Sequence, residues 1–182
     1  MSPAQLHGFL KNSLDVFSPP ANNSGLRALV EAGGIEGFLT DLLFIELHSK
    51  GHKVSREFPI GKRCAADIAL HDSGNLYIEV KQLNLKDGCK YAPPNLAKDL
   101  LRHGSSPSLG IMYLVDERKS TSQQVFKRFG GANRRAKHDV ASVFAGLPQF
   151  FKTVFPTNIE DALLREFQDA GRAALYGFIV SV

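Results

Sequence analysis

Cysteine is scarce in this chain. The two present, Cys64 and Cys89, are too few for a disulfide framework. Neither has a local histidine arrangement that would make it a nucleophile. No apolar run is long enough to span a bilayer. The opening MSPAQLHGFLKNSL lacks the basic start and uninterrupted apolar stretch of a secretory signal. A cytoplasmic, reducing location, with no membrane partner, is the expectation that follows. Internal repeats, low-complexity tracts and a glycine-rich phosphate cradle are missing too, and no recognition helix for DNA bases stands out. His48 and His52 straddle Gly51 with no third ligand nearby, which argues against zinc.

What remains is an ordinary globular composition. At 182 residues, 43% hydrophobic and 22% charged, the chain suits one domain with a substantial core. A net charge of +4 permits a polyanionic partner without demanding one. Lys127, Arg128, Arg134, Arg135, Lys137 and His138 cluster around Gly130-Gly131. They fit either a phosphate-contacting loop and helix start or a solvated surface segment.

Periodicity orders the elements. Residues 3–17 read as an amphipathic helix, followed by a Pro/Asn/Gly breaker cluster and a short helix over 26–32. Residues 35–50 carry the strongest helix signal, stopped by Gly51, with Ile35, Phe38, Leu39, Leu42, Ile45 and Glu46 on one stripe. Strands are predicted over 53–60, 63–70 and 76–83, then a helix over 95–103 behind Pro93-Pro94. The run LGIMYLVD at 109–116 suits a strand buried on both faces. Residues 120–129 and 134–155 read as helices, the second bent or split at Pro148. A capping box of Thr157 and Glu160 predicts a helix from 157 or 158 to about 174, and YGFIVSV at 176–182 a last strand.

Chemistry concentrates in CAADIALHDSGNLYIEVK, residues 64–81. The turn signal His71-Asp72-Ser73-Gly74-Asn75 makes this a β-hairpin. Centred on Ser73, it sets Leu70 against Leu76, Ala69 against Tyr77, Asp67 against Glu79 and Ala65 against Lys81. Alternation then gives Ala66, Ile68, Leu70, Leu76, Ile78 and Val80 one apolar core face. Ala65, Asp67, Ala69, Tyr77, Glu79 and Lys81 share the other. Opposed side chains have Cβ atoms about 4.5–5.5 Å apart, so the two carboxylates repel unless a cation or a proton intervenes. Alanines on both sides of Asp67 leave room above the pair. A divalent metal held by oxygen ligands, with an amine two residues along, fits this arrangement; so does a polar hairpin face that is merely wet.

Asp67 followed by Glu79-Val80-Lys81 resembles the PD-(D/E)XK nuclease superfamily, the restriction-endonuclease-like fold. The proline of the family name is Ala66 here. The resemblance spans about residues 35–117 and implies an α/β core in αβββαβ order. A mixed central sheet would be flanked by helices, with a helical extension at 1–32 and a further region at 120–182. It implies a metal-dependent DNA endonuclease using Mg²⁺ or Mn²⁺, with DNA as partner and a homodimer permitted. Asp67, Glu79 and the Val80 carbonyl would hold the metal, and Lys81 would orient water or stabilise charge. The family often adds an acid from the preceding helix. Glu36 is the better match, with Glu46 the alternative, since Glu46 falls mid-stripe where a buried acid needs a partner. Lys98 and Arg102, one helical turn apart, would reach phosphates unless Asp99 pairs with one of them.

Overall fold

The computed structural model describes residues 1–17, 35–62, 64–72, 74–83, 91–116, 140–167 and 173–182. Its elements run α1 (Pro3–Phe17), α2 (Ile35–Ser49), β1 (Val54–Gly61), β2 (Cys64–Leu70), β3 (Leu76–Gln82), α3 (Ala92–Arg102), β4 (Ser108–Asp116), α4 (Val140–Val154), β5 (Asn158–Phe167) and β6 (Ala173–Ser181). The described strands form one six-stranded mixed sheet in the order β1-β2-β3-β4-β6-β5. Only the β3–β4 pair is parallel, and α3 supplies the crossover that a parallel pair needs. The architecture is mixed α/β. Among the described residues no helix is long and apolar enough to cross a membrane.

Helices cover both faces of the sheet. Leu6, Leu10 and Leu14 of α1 and Ile35, Leu39, Leu43 and Leu47 of α2 bury against Ile68, Ile78, Val80, Ile111 and Ile179. On the opposite face Leu96, Ala97 and Leu100 of α3 and Leu147 and Phe151 of α4 pack on Met112, Phe178 and Val180. Two chain-adjacent positions of β3 therefore serve different layers. Ile78 and Val80 lock the strand to α2, while Tyr77, Glu79 and Lys81 look toward α3.

Four expectations need correction. The buried stripe of α2 is Ile35, Leu39, Leu43 and Leu47, whereas Ile45 is 61% exposed. A helix stripe repeats at i+4 as well as i+3, and the strictly i+4 row is the one that meets the sheet. Pro148 does not split the helix that holds it, since α4 runs on through it with Leu147 and Phe151 buried on either side. Pro93 and Pro94 belong to the first turn of α3, where the missing N–H costs nothing.

The largest change falls on 157–174, expected as a helix. Residues Asn158–Phe167 are instead an edge strand, paired antiparallel with β6 along their length. The capping box is not made: the Thr157 hydroxyl is buried and bonds to nothing. Pairing with β6 overrides a local composition that favours helix. The predicted helices at 26–32 and 120–129 and the stretch 134–139 lie outside the described residues, as do Lys127, Arg134 and Arg135 of the basic cluster.

Candidate active site

The hairpin forms in the expected register. Ile68 pairs with Ile78, Ala69 with Tyr77 and Leu70 with Leu76, and Gly74 takes φ +100° in the turn. Pairing stops one step before Asp67 would face Glu79. On the other side, β1 pairs Arg56 with Ile68 and Phe58 with Ala66, skipping Glu57 and Asp67. Glu57 sits there at φ +50°, a left-handed conformation uncommon for a residue with a side chain. The register is the same on both sides of Glu57 and shifts only between Pro59 and Gly61. Asp67 Oδ2 accepts the Val80 backbone N–H at 2.8 Å. The two acids do not simply oppose each other across a ladder; Asp67 turns along the strand pair toward Val80.

Ala66 departs from its expected side. Expected on the main core face with Ile68 and Leu70, it is buried instead with Ala69, Tyr77, Phe58 and Ile60. Phe58 and Tyr77 stack at 6.1 Å, so the space expected above Ala69 is filled. The opening beside Asp67 is on the Ala65 side, where the alanine is exposed.

Glu79 is almost completely buried, 3% exposed. Its Oε1 lies 3.0 Å from His103 Nε2, and its Oε2 lies 3.7 Å from Lys81 Nζ. His103 Nδ1 meets Ser108 Oγ at 2.8 Å, and the Ser108 hydroxyl donates to the Ser106 carbonyl at 3.1 Å. With its own proton spent on that carbonyl, Ser108 accepts from His103 Nδ1–H. The Glu79–His103 contact therefore carries one proton, on Nε2 or on the carboxyl, and the pair is neutral overall. Burial pushes the Glu79 carboxyl above its ordinary range, reinforced by the charge of Asp67 and opposed by the His103 hydrogen bond and by Lys81.

Lys81 reaches across to α3. Its Nζ lies 3.1 Å from Asp99 Oδ2, nearer than Glu79. Burial works to lower its pKa, but the Asp99 hydrogen bond and the charges of Asp99, Asp67 and Glu79 outweigh it and hold the ammonium above its usual value. Asp99 Oδ1 also accepts from Arg102 Nη1 at 3.0 Å. Arg102 is therefore engaged within its own helix, and Lys98 is exposed.

Of the two helix acids, Glu36 belongs to this neighbourhood. The residue is exposed, but partial desolvation raises its carboxyl, Lys81 and the Gln82 backbone N–H pull it down, and Asp67 raises it again. Glu46 pairs with Lys50 one turn along its own helix at 3.8 Å. Gln82 itself accepts from the buried Tyr113 hydroxyl at 3.1 Å. The structure thus gathers Glu36, Asp67, Glu79 and Lys81, together with Asp99 and His103, which the hairpin motif does not announce. Asp99 and His103 lie four apart on α3 and its cap, beside the buried Leu96 and Leu100. That spacing is the sequence signal that places them toward the sheet. A groove of about 650 Å³ lies elsewhere, at the turn end of the hairpin beside Phe9, Asn75 and Ser106, and holds none of these groups.

Whether the acids suit a divalent ion depends on their free oxygens. Among the described residues no three His, Cys, Asp or Glu side chains are grouped closely enough to enclose a metal. Mg²⁺, however, keeps several waters and asks for one or two carboxylates rather than a cage. Asp67 has Oδ1 beyond its Val80 bond, and Glu79 Oε2 has only the long contact to Lys81. The donor set is all oxygen and fits a largely hydrated Mg²⁺ or Mn²⁺. No family model matches the chain, and no curated protein or solved structure matches it.

Proposed function

We propose that this protein is a metal-dependent DNA endonuclease that hydrolyses phosphodiester bonds on a restriction-endonuclease-like core. The observation that supports the reading best is Asp67 bonded to the Val80 N–H, with Lys81, Glu79 and Glu36 gathered around that point. The order helix, three-strand meander, helix, strand over α2 to β4 agrees with such a core. Asp67, Glu79 and the Val80 carbonyl would hold Mg²⁺ or Mn²⁺, with Glu36 beside them. Bound there, the ion would acidify a water and neutralise charge on the phosphate.

The chain's own groups would divide the remaining work. Lys81, held charged by Asp99, would donate hydrogen bonds to the phosphate or to the attacking water and stabilise negative charge as it builds. A lysine kept protonated is a poor general base. Glu36, beside the ion, would be placed to receive the proton released by water. Lys98 and the basic cluster at Lys127, Arg134 and Arg135 would contact the DNA backbone. Cutting both strands would take two sites, which a homodimer would supply.

A second reading has its own observation. Glu79 is buried and bonded on one oxygen to His103, as in a nuclease fold that binds nucleic acid or a protein partner without cutting. Incubation with supercoiled and linear DNA in Mg²⁺, Mn²⁺ or EDTA separates the two. Cleavage lost in EDTA and in Asp67→Asn and Lys81→Ala supports the nuclease. Binding without cleavage supports the silent fold, and neither activity removes both.

A further inference from the structure

We propose that Asp99 is a positioning residue, which from α3 holds the Lys81 ammonium and the Arg102 guanidinium on its two oxygens and aims both at one phosphate of a nucleic acid backbone. The inference rests on the nuclease reading and extends it to a residue outside the hairpin motif.

Each Asp99 oxygen carries its own cation. Oδ1 takes Arg102 Nη1 at 3.0 Å and Oδ2 takes Lys81 Nζ at 3.1 Å. Lys81 has no comparable anchor on its own strand, since Glu79 Oε2 stands at 3.7 Å. Without Asp99, a flexible four-carbon stem would carry the ammonium through many rotamers. Asp99 is the least exposed of the three side chains, at 21% against 25% for Lys81 and 46% for Arg102. Arg102 is therefore the member of the trio that an anion arriving from solvent meets first.

Charge and valence both suit a phosphodiester. One carboxylate between two cations leaves the trio at +1, while the neighbouring Asp67 and Glu36 carboxylates would be offset by the divalent ion of the nuclease reading. The adjoining Glu79–His103 pair is neutral and does not cancel it. An ammonium has three donors and a guanidinium five. One contact each to Asp99 leaves donors free for the two non-bridging oxygens.

The test uses the full chain and its Asp99→Asn, Asp99→Glu and Arg102→Ala variants, with thermal melts to verify folding. In NMR spectra of the side-chain ammonium groups, Lys81 should give a distinct, restricted signal that Asp99→Asn abolishes. In Mg²⁺, Asp99→Asn should lower kcat for DNA cleavage about a hundredfold, the scale of a misplaced reacting group, while KM barely moves. Asp99→Glu should recover part of the loss. In EDTA, Arg102→Ala should reduce the salt dependence of duplex binding by about one phosphate contact. Wild-type kcat in Asp99→Asn, or an unaltered Lys81 signal, overturns the proposal. If the wild type cuts no DNA, the nuclease reading falls, and positioning is then judged on the ammonium signal and the salt slope. No change in either removes it.

Discussion

The Asp67 carboxylate accepts the backbone N–H of Val80 at 2.8 Å, and this bond gives one side chain two separable duties. Val80 is 1% exposed, so its N–H finds no water if the acceptor is lost. Asp67→Ala should destabilise the protein by about 1–3 kcal/mol, the cost of a buried donor left unpaired. Relief of repulsion from Glu79 and Glu36 would offset part of that. Asp67→Asn keeps an acceptor oxygen and removes the charge. It should unfold in urea at or above the wild-type midpoint while losing all metal-dependent cleavage. Equal destabilisation by both substitutions would show that the charge, and not the bond to Val80, is what the fold uses.

Glu36 links stability to pH. Its side chain is exposed, yet the protein packed around its carboxyl partly desolvates it and raises the folded pKa above the ordinary 4.5. A carboxyl raised on folding favours the folded state when protonated. Its contribution is fully present below the unfolded pKa and is lost as pH rises through the folded value. In EDTA, Glu36→Gln should therefore melt higher than wild type at pH 7 to 8, and the gap should close as pH falls toward 4.5. A constant gap across that range would assign the effect to packing rather than to ionisation.

The hairpin was legible in the chain because two local signals agreed: alternation along each strand and a turn that needs a glycine at positive φ. Leu70 faces Leu76 and Gly74 takes that conformation, as those signals require. The bond from the Val80 N–H to Asp67 and the left-handed backbone of Glu57 were not legible, because each depends on a neighbouring strand. Nor was the His103–Glu79 pair, whose members lie 24 residues apart and meet only once α3 packs on β3. The segment at 158–167 shows the opposite failure. Its spacing is locally helical, and only the availability of β6 as a partner makes it a strand.

His103 has a side chain with no exposure and a bond to an almost buried acid. Removing it leaves Glu79 with only the long contact of its Oε2 to Lys81 and takes away the bond to Oε1. His103→Ala should cost about 3 kcal/mol in chemical denaturation, the lower end for breaking a buried pair. Glu79→Gln should restore much of this in the His103→Ala background, because the neutral amide no longer needs a charged partner. Additive losses in that double-substitution cycle would mean that the two side chains do not sense each other.

Gly110 ties the core to the site. It pairs with Glu79 in the parallel β3–β4 register, and a Cβ at this position would come within 2.7 Å of Leu96 Cδ2. Leu96 is fully buried in the helix that also carries Asp99. Its methyl groups have little room to retreat, so Gly110→Ala should destabilise by about 1–3 kcal/mol through overpacking. The displacement would pass to α3 and loosen the Asp99–Lys81 contact. Leu96→Ala in the same chain opens space for the new methyl group and should recover part of the lost stability. Urea denaturation of the two single variants and the double variant measures that recovery, and its absence would show that the strain lies in the β4 backbone rather than against α3.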